Sequence, residues 1–149
     1  MANEHTGGCL CGEIRYRIEH PVNSLRACHC THCQKSSGTG SSVNAIVPAA
    51  SVTFLQGTPR RYADKADSGN TLYRYFCGNC GSPIYSQRET RPDIMVFRAG
   101  SLDNSSDLRV TGHIWTASAR PWSHIDASVE THPGNAPLPP STPQRPQTP

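Results

Sequence analysis

Seven cysteines in three short clusters are the residues of this chain best suited to chemistry. The clusters are Cys9-Leu10-Cys11, Cys28-His29-Cys30-Thr31-His32-Cys33 and Cys77-Gly78-Asn79-Cys80. Cysteines two or three positions apart can bind one zinc ion, because a tight turn brings both sulfurs to about 2.3 Å from the metal. Gly12 and Gly81 directly follow two of the clusters and supply the backbone freedom that such turns need. The spacing therefore predicts zinc binding.

The seven cysteines divide as four plus three. The cleanest partition joins the two shorter clusters in one site, Cys9, Cys11, Cys77 and Cys80, and leaves Cys28, Cys30 and Cys33 as a second site, although the sequence does not itself say which clusters share an ion. Four thiolates close a zinc site, which then only stabilises the fold, whereas three leave a position for water or substrate. In a structural site, His32 would instead fill that position, or less easily His29, which stands directly between Cys28 and Cys30.

A disulfide framework is the competing interpretation of so many cysteines. The count is odd, however, and residues 1–6 have no basic segment followed by an apolar stretch. A reducing, cytoplasmic location is therefore predicted. No apolar run approaches the roughly 18 residues of a membrane span, so we expect no membrane partner.

Composition points in the same direction as the cysteines. Only 35% of the 149 residues are hydrophobic and 7% aromatic, which is little for a self-sufficient core. A structural zinc adds on the order of 10 kcal/mol to folding. The net charge is +3, and the twelve arginines and two lysines are scattered along the chain. Because these basic residues form no stripe, the sequence predicts no nucleic-acid partner.

The order of the chain predicts one domain, residues 1–131, followed by a proline-rich disordered tail, residues 132–149. Strict alternation in Glu13 to Ile18 places Ile14, Tyr16 and Ile18 on one face of a strand. Further strands are predicted at Ser42 to Val47, Ser51 to Leu55, Thr71 to Phe76, Ile84 to Ser86, Asp93 to Arg98 and Val110 to Trp115. Short helical turns are expected at most near Thr31 to Ser37 and Ser105 to Leu108. The predicted class is mainly β.

Several motifs resemble those of one family in their order and spacing. They are His5-Thr6-Gly7-Gly8-Cys9-Leu10-Cys11-Gly12, Cys28 to Lys35 with Ser36-Ser37-Gly38, Arg74 to Ser82, Gly100-Ser101-Leu102-Asp103, His113-Ile114-Trp115, Ser118 and Pro121-Trp122. On these residues the chain resembles the glutathione-dependent formaldehyde-activating enzyme family, which also includes centromere protein V. The resemblance runs from His5 to Trp122. Asn104 departs from it, standing where a second aspartate commonly follows the Leu-Asp pair.

The resemblance implies tent-like antiparallel sheets organised around zinc, with two zinc ions per chain. Cys9, Cys11, Cys77 and Cys80 would hold the structural ion. Cys28, Cys30 and Cys33 would hold the catalytic ion and keep a position free. The implied activity is that of a carbon–sulfur lyase of the S-(hydroxymethyl)glutathione synthase type, which serves formaldehyde detoxification. Its partners would be glutathione, or another small thiol, and a small aldehyde.

Three further residues are candidates for substrate binding: Lys35, His113 and Trp122. Lys35 lies two positions beyond a proposed ligand and could meet a carboxylate of glutathione, although a surface lysine is the plainer interpretation. His113 could equally be a structural histidine. Two alternative functions stay open, a zinc-stabilised binding module without turnover and a thiol-based sensor. The sequence is also compatible with a homo-oligomer.

Overall fold

The computed structural model describes residues 3–140. Within that range the fold is mainly β, with one α-helix, α1 (Thr31–Ser37), and three short 3₁₀ turns. The strands are β1 (His5–Gly8), β2 (Arg15–Ile18), β3 (Leu25–Cys28), β4 (Ser42–Pro48), β5 (Val52–Gln56), β6 (Arg60–Lys65), β7 (Thr71–Phe76), β8 (Pro83–Arg88), β9 (Ile94–Arg98), β10 (Val110–Ile114) and β11 (Glu130–Thr131).

The strands form two sheets. A small sheet has the order β1-β2-β5, and a large one has the order β11-β10-β3-β4-β9-β8-β7-β6. Most neighbours are antiparallel, but β10 runs parallel to both β3 and β11. The implied antiparallel arrangement therefore holds for most strand pairs, and the large sheet is mixed at this edge. Parallel neighbours need a crossover rather than a hairpin, and the long connections on either side of β10 provide it.

Alternation along β4 separates two environments. Ala45 and Val47 are almost fully buried and belong to the hydrophobic core. Ser42, Asn44 and Ile46 alternate with them and therefore lie on the opposite face of the large sheet. One face thus packs on the small sheet, and the other face is free to carry polar groups.

The core between the sheets is centred on aromatic side chains. Tyr16 on β2 and Phe97 on β9 are both fully buried, with ring centroids 4.5 Å apart. Tyr85 stacks on Phe97 at 5.2 Å and on Tyr75 at 4.1 Å. The predicted inward face of β2 is confirmed, because Ile14, Tyr16 and Ile18 are at most 1% exposed. The hydroxyl of Tyr16 meets the Ser101 hydroxyl at 2.7 Å, which satisfies its one buried polar atom.

All six strands predicted beyond β2 are present, with ends that differ by one or two residues. The helical turn predicted at Thr31 to Ser37 is α1 itself, and residues 105–108 form only a single turn, in which Leu108 N–H donates to Ser105 C=O. Four strands were not predicted: β1, β3, β6 and β11. The sequence of β1, His-Thr-Gly-Gly, has low strand propensity, and β3 alternates too briefly to be recognised.

The segment that follows β11 returns across the large sheet. The backbone N–H groups of Trp115 and Thr116 donate to the carbonyls of Gly134 and His132. Trp115 Nε1 donates to Asn135 Oδ1 at 2.9 Å, and Ala136 is buried. The His132 N–H also donates to the His113 carbonyl, so residues 132–136 of the predicted tail make specific contacts with β10 and the residues that follow it. The end of the tail, residues 141–149, lies outside the described residues.

None of the helices between residues 3 and 140 has the length and apolar character that a membrane crossing requires.

Candidate metal centre and pocket

The first cysteine turn follows β1. Gly12 has φ +82°, which only glycine adopts without strain, and its N–H donates to the Cys9 carbonyl. The Ile14 N–H donates to Cys9 Sγ at 3.2 Å. A backbone N–H aimed at sulfur favours the thiolate, which is the form that binds a metal.

The second turn connects β7 to β8 and repeats this arrangement. Gly81 has φ +78°, and its N–H donates to the Cys77 carbonyl at 2.9 Å. The Cys80 N–H points at Cys77 Sγ, 3.5 Å away. Hydrogen bonds from the Ser82 hydroxyl and backbone lower the pKa of Cys80 to about 5. Each turn thus has one sulfur with a lowered pKa, Cys9 or Cys80, whereas the pKa of Cys77 is raised to about 11 despite the Cys80 N–H aimed at it, because Cys77 is desolvated and lies beside other thiols.

The two turns meet and form a four-sulfur group. Cys9 Sγ and Cys11 Sγ lie 3.6 Å apart, Cys11 Sγ and Cys77 Sγ lie 3.8 Å apart, and all four sulfurs are within 4.8 Å of one another. A tetrahedron with 2.3 Å zinc–sulfur bonds has edges of about 3.8 Å. The donor set and its spacing therefore fit a tetrahedral metal ion. No disulfide joins any of the seven cysteines in this structure.

The three-sulfur group lies where β3 passes into α1. Cys28 ends β3, Cys30 is the N-cap of α1, and Cys33 lies in its first turn. Cys30 Sγ accepts the Cys33 N–H at 3.3 Å, so one sulfur both caps the helix and joins the group. The three sulfurs lie within 4.8 Å of one another. This group too could hold a metal ion.

The surroundings of the three-sulfur group concentrate negative charge on one sulfur. Hydrogen bonds from Cys28 and Cys30, then from Ser42, and the charge of Arg74 lower the pKa of Cys33. The pKa of Cys28 is raised, because its thiol donates to the other two sulfurs and is buried. Cys33 is therefore the most acidic of the three thiols.

Neither histidine of the cluster joins the sulfurs. His32 Nδ1 lies 2.9 Å from both carboxylate oxygens of Asp64, and Arg74 Nε donates to the same carboxylate at 2.7 Å. His29 is 1% exposed and faces His113 instead. Among residues 3–140, the cluster of ligand atoms around Cys28, Cys30 and Cys33 contains no histidine. The alternative with His32 as fourth ligand has no support in this arrangement.

A cavity of about 360 Å³ opens above the three-sulfur group, on the free face of the large sheet. Its lining includes Cys28, Cys30 and Cys33 but none of the four-sulfur group. The floor comes from alternate residues of β3, β4, β9, β8 and β7, and Trp115, Asn135, Ala136 and Leu138 contribute to the wall. Cavities of ~300–1,000 Å³ are the usual size for small-molecule sites. The cavity thus lies beside one cysteine group, Cys28, Cys30 and Cys33, and not beside the other.

Comparison with known proteins agrees with this arrangement. The model of the glutathione-dependent formaldehyde-activating enzyme family matches residues 4–118, which include all seven cysteines. The chain belongs to this family. The match ends at Ser118, so the segment that carries Asn135, Ala136 and Leu138 lies beyond the part that the family model describes.

Individual relatives of this family member are distant. A protein of Sordaria macrospora described as a putative glutathione-dependent formaldehyde-activating enzyme is 27% identical over 78 residues, 52% of this chain and 32% of that protein. The match thus spans about a third of that relative's length. A crystal structure of a Rhodobacter sphaeroides protein is similar with a TM-score of 0.55 and 18% identity, covering 68% of this chain and 90% of that one. That similarity concerns the fold alone.

The three predicted substrate-binding residues lie away from the cavity lining. Lys35 is exposed near the end of α1, and Trp122 is 72% exposed beside Gly40. His113 is buried on β10, with its ring against His29. None of the three is among the residues that line the cavity.

Arginines that the sequence analysis did not single out are prominent in the lining. They are Arg26, Arg74, Arg88, Arg91 and Arg98. The available signal was strand alternation, because Arg74 and Arg98 lie in correctly predicted strands. Which face would be free was not evident from the sequence, so their common orientation was missed.

Proposed function

We propose that this protein is a zinc-dependent carbon–sulfur lyase that joins glutathione, or a similar small thiol, to a small aldehyde and cleaves the adduct. The observation that carries the proposal is the difference between the two cysteine groups. One is outside the cavity and the other, Cys28, Cys30 and Cys33, lines it. Family membership supports the substrate class.

The residues would divide the work as follows. Cys9, Cys11, Cys77 and Cys80 would hold a structural zinc ion, and Cys28, Cys30 and Cys33 a second one with a free position. When bound there, zinc lowers the pKa of an incoming thiol and holds it as the thiolate. The cavity would hold that sulfur beside the aldehyde and limit the water around both.

The reaction is an addition of the thiol to the aldehyde, and it needs no further reactant. The thiolate sulfur attacks the aldehyde carbon, a carbon–sulfur bond forms, and the carbonyl electron pair moves to oxygen. The proton released from the thiol is returned to that oxygen, which gives the S-hydroxymethyl adduct. The reverse reaction cleaves the same bond. Since glutathione and formaldehyde also combine unaided, the rate gain would come from positioning and thiol activation.

Exchange spectroscopy by NMR tests the proposal. The rate of exchange between glutathione, formaldehyde and S-hydroxymethylglutathione is measured with full-length, zinc-loaded protein, with Cys30→Ser, and without protein. Acceleration by the wild type and its loss in Cys30→Ser are expected. If the wild type does not accelerate exchange over the spontaneous rate, the formaldehyde reaction is wrong for this protein.

Unchanged zinc content on adding glutathione, with no exchange, would favour a binding module. Reversible disulfide formation among the three cysteines would favour a sensor.

A further inference from the structure

Two arginines and an asparagine form a row across the floor of the cavity. Arg26 on β3 is paired in register with Asn44 on β4, and Asn44 is paired with Arg98 on β9. All three line the cavity. Neighbouring strands are about 4.8 Å apart, so the two guanidinium-bearing positions flank Asn44 from either side.

The cavity has more positive charge than its own carboxylates neutralise. Of the five lining arginines, Arg74 is paired with Asp64, and Arg91 with Asp93. Asp67, the other lining carboxylate, is 96% exposed at its side chain and approaches only His32. Within residues 3–140 no carboxylate forms an ion pair with Arg26, Arg88 or Arg98.

Arg98 is held in place by neutral groups. Its Nη1 donates to Asn44 Oδ1 at 2.7 Å and to the Val96 carbonyl at 3.2 Å, and its Nη2 donates to Ser86 Oγ at 3.3 Å. A guanidinium has five N–H donors. Arg98 is therefore fixed in orientation but keeps N–H donors for a ligand. Arg26, on the other side of Asn44, is partly buried.

The row lies at a defined distance from the sulfurs. Cys28 is two residues beyond Arg26 on the same face of β3, about 7 Å along the strand. The sulfur of a cysteinyl unit and the carboxylate of the next residue are separated by a similar distance, since one trans peptide spans ~3.8 Å and each end adds a bond or two. A thiol of that kind can reach both groups at once.

We propose that Arg26 and Arg98, on either side of Asn44, form a carboxylate-binding subsite that selects anionic thiols and directs their sulfur toward Cys28, Cys30 and Cys33. This inference rests on the proposed function for the role of the sulfur. The planar guanidinium favours bidentate recognition of a carboxylate, which a lysine at the same place would not provide. The substrate class is thus thiols with a carboxylate one residue from sulfur, rather than neutral or cationic thiols.

Binding of S-methylglutathione to full-length, zinc-loaded protein, measured by isothermal titration calorimetry, tests the subsite without using a free thiol. Arg26→Gln should bind about tenfold more weakly, because a charge-assisted hydrogen bond is lost. Arg98→Lys should also bind more weakly, since it keeps the charge but loses the planar donor pair. Arg88→Gln is the matched control, an unpaired arginine of the same cavity outside the row, and should bind within about twofold of wild type.

A pair of small thiols gives a second measurement. N-acetylcysteinylglycine and N-acetylcysteinylglycinamide are alike in size, and only the first has a carboxylate one residue from its sulfur. Wild type and Arg88→Gln should prefer N-acetylcysteinylglycine, and Arg26→Gln should lose most of that preference. Equal preference in wild type and Arg26→Gln would overturn the subsite. Equal weakening by Arg88→Gln and Arg26→Gln would also overturn it, because the cavity would then attract anions without a specific position.

These results separate the subsite from the proposed function. If exchange of formaldehyde is not accelerated but S-methylglutathione binding still depends on Arg26, the reaction is wrong and the subsite is right. If exchange is accelerated equally by wild type and Arg26→Gln, with equal affinities, the reaction is right and the subsite is wrong. Arg26 is half-buried and makes no side-chain ion pair within residues 3–140, so Arg26→Gln keeps the test valid even if Arg98→Lys does not fold.

Discussion

His29 Nε2 lies 2.9 Å from His113 Nδ1, and both rings are buried behind the three-cysteine group. The Asp126 N–H points at His113 Nε2, 3.3 Å away, so this nitrogen accepts. The proton of His113 is then on Nδ1 and is donated to His29. Burial lowers the pKa of both histidines, which keeps the pair neutral. The hydrogen bond thus connects β10 to His29, the residue between the proposed metal ligands Cys28 and Cys30.

Replacing His113 should therefore destabilise the fold. His113→Leu leaves His29 Nε2 buried without a donor, at a cost of about 1–3 kcal/mol. Urea denaturation of the zinc-loaded protein measures the change in the free energy of unfolding. His124→Gln, at an exposed position, is the control and should change it by less than about 0.5 kcal/mol. Equal stability of His113→Leu and wild type would contradict a structural role for the pair.

The two cysteine groups should respond differently to the loss of one ligand. Cys77→Ser removes a buried sulfur from the four-sulfur group. A structural zinc bound there would contribute on the order of 10 kcal/mol to the free energy of folding, which is as much as the whole stability of most domains. We expect Cys77→Ser to be unfolded and Cys30→Ser to be folded but inactive. Circular dichroism and zinc content measure this, with two ions expected in wild type and one in Cys30→Ser. The same loss of thermal stability in both variants would refute the division of roles.

The ion pair between Arg15 and Asp103 links the small sheet to the turn after β9. Arg15 Nη1 donates to Asp103 Oδ1 at 2.9 Å, and Thr6 Oγ1 donates to Oδ2 at 2.7 Å. These bonds lower the pKa of Asp103 from 3.8 to about 2. A carboxylate with a lowered pKa stabilises the fold above its ordinary pKa, and that contribution is lost as the pH falls toward 2.

Asp103→Asn should therefore lower the free energy of unfolding by a constant amount between pH 6 and pH 8. Both side chains are more than a third exposed, so the loss should stay below about 1 kcal/mol. Urea titrations at pH 6, 7 and 8, at low and high salt, measure it, and salt should reduce the difference. A difference that changes within this pH range would mean that another group titrates with the pair.

The sequence was sufficient to predict the cysteine turns that could hold metal ions and most strands, because both are local patterns. Cys77 and Cys80 are three residues apart, and Ile14, Tyr16 and Ile18 alternate within one strand. Residues far apart in the chain were harder to place. Arg26 and Arg98 become neighbours of Asn44 only through the register of three strands, which no local pattern specifies.

The same limit applies to the predicted substrate-binding residues, Lys35, His113 and Trp122, none of which lines the cavity. Lys35 is two residues from Cys33 in sequence, but it is exposed near the end of α1 and is not among the residues that line the cavity. Arg74 is far from Cys33 in sequence, yet its charge lowers the pKa of that thiol. Separation in sequence therefore does not predict which charged residues surround a site whose residues come from several strands of a sheet.

The chain after β11 provides the last prediction. Deleting residues 132–149 removes the backbone bonds that Trp115 and Thr116 donate to Gly134 and His132, and it exposes the cavity wall at Ala136. A few net hydrogen bonds at 0.5–1.5 kcal/mol each give a loss of about 2–3 kcal/mol. Deleting only residues 141–149 is the matched control and should leave stability and S-methylglutathione affinity unchanged. If the longer deletion is as stable as the shorter one, residues 132–140 are dispensable for the fold, as the proline-rich composition alone would predict.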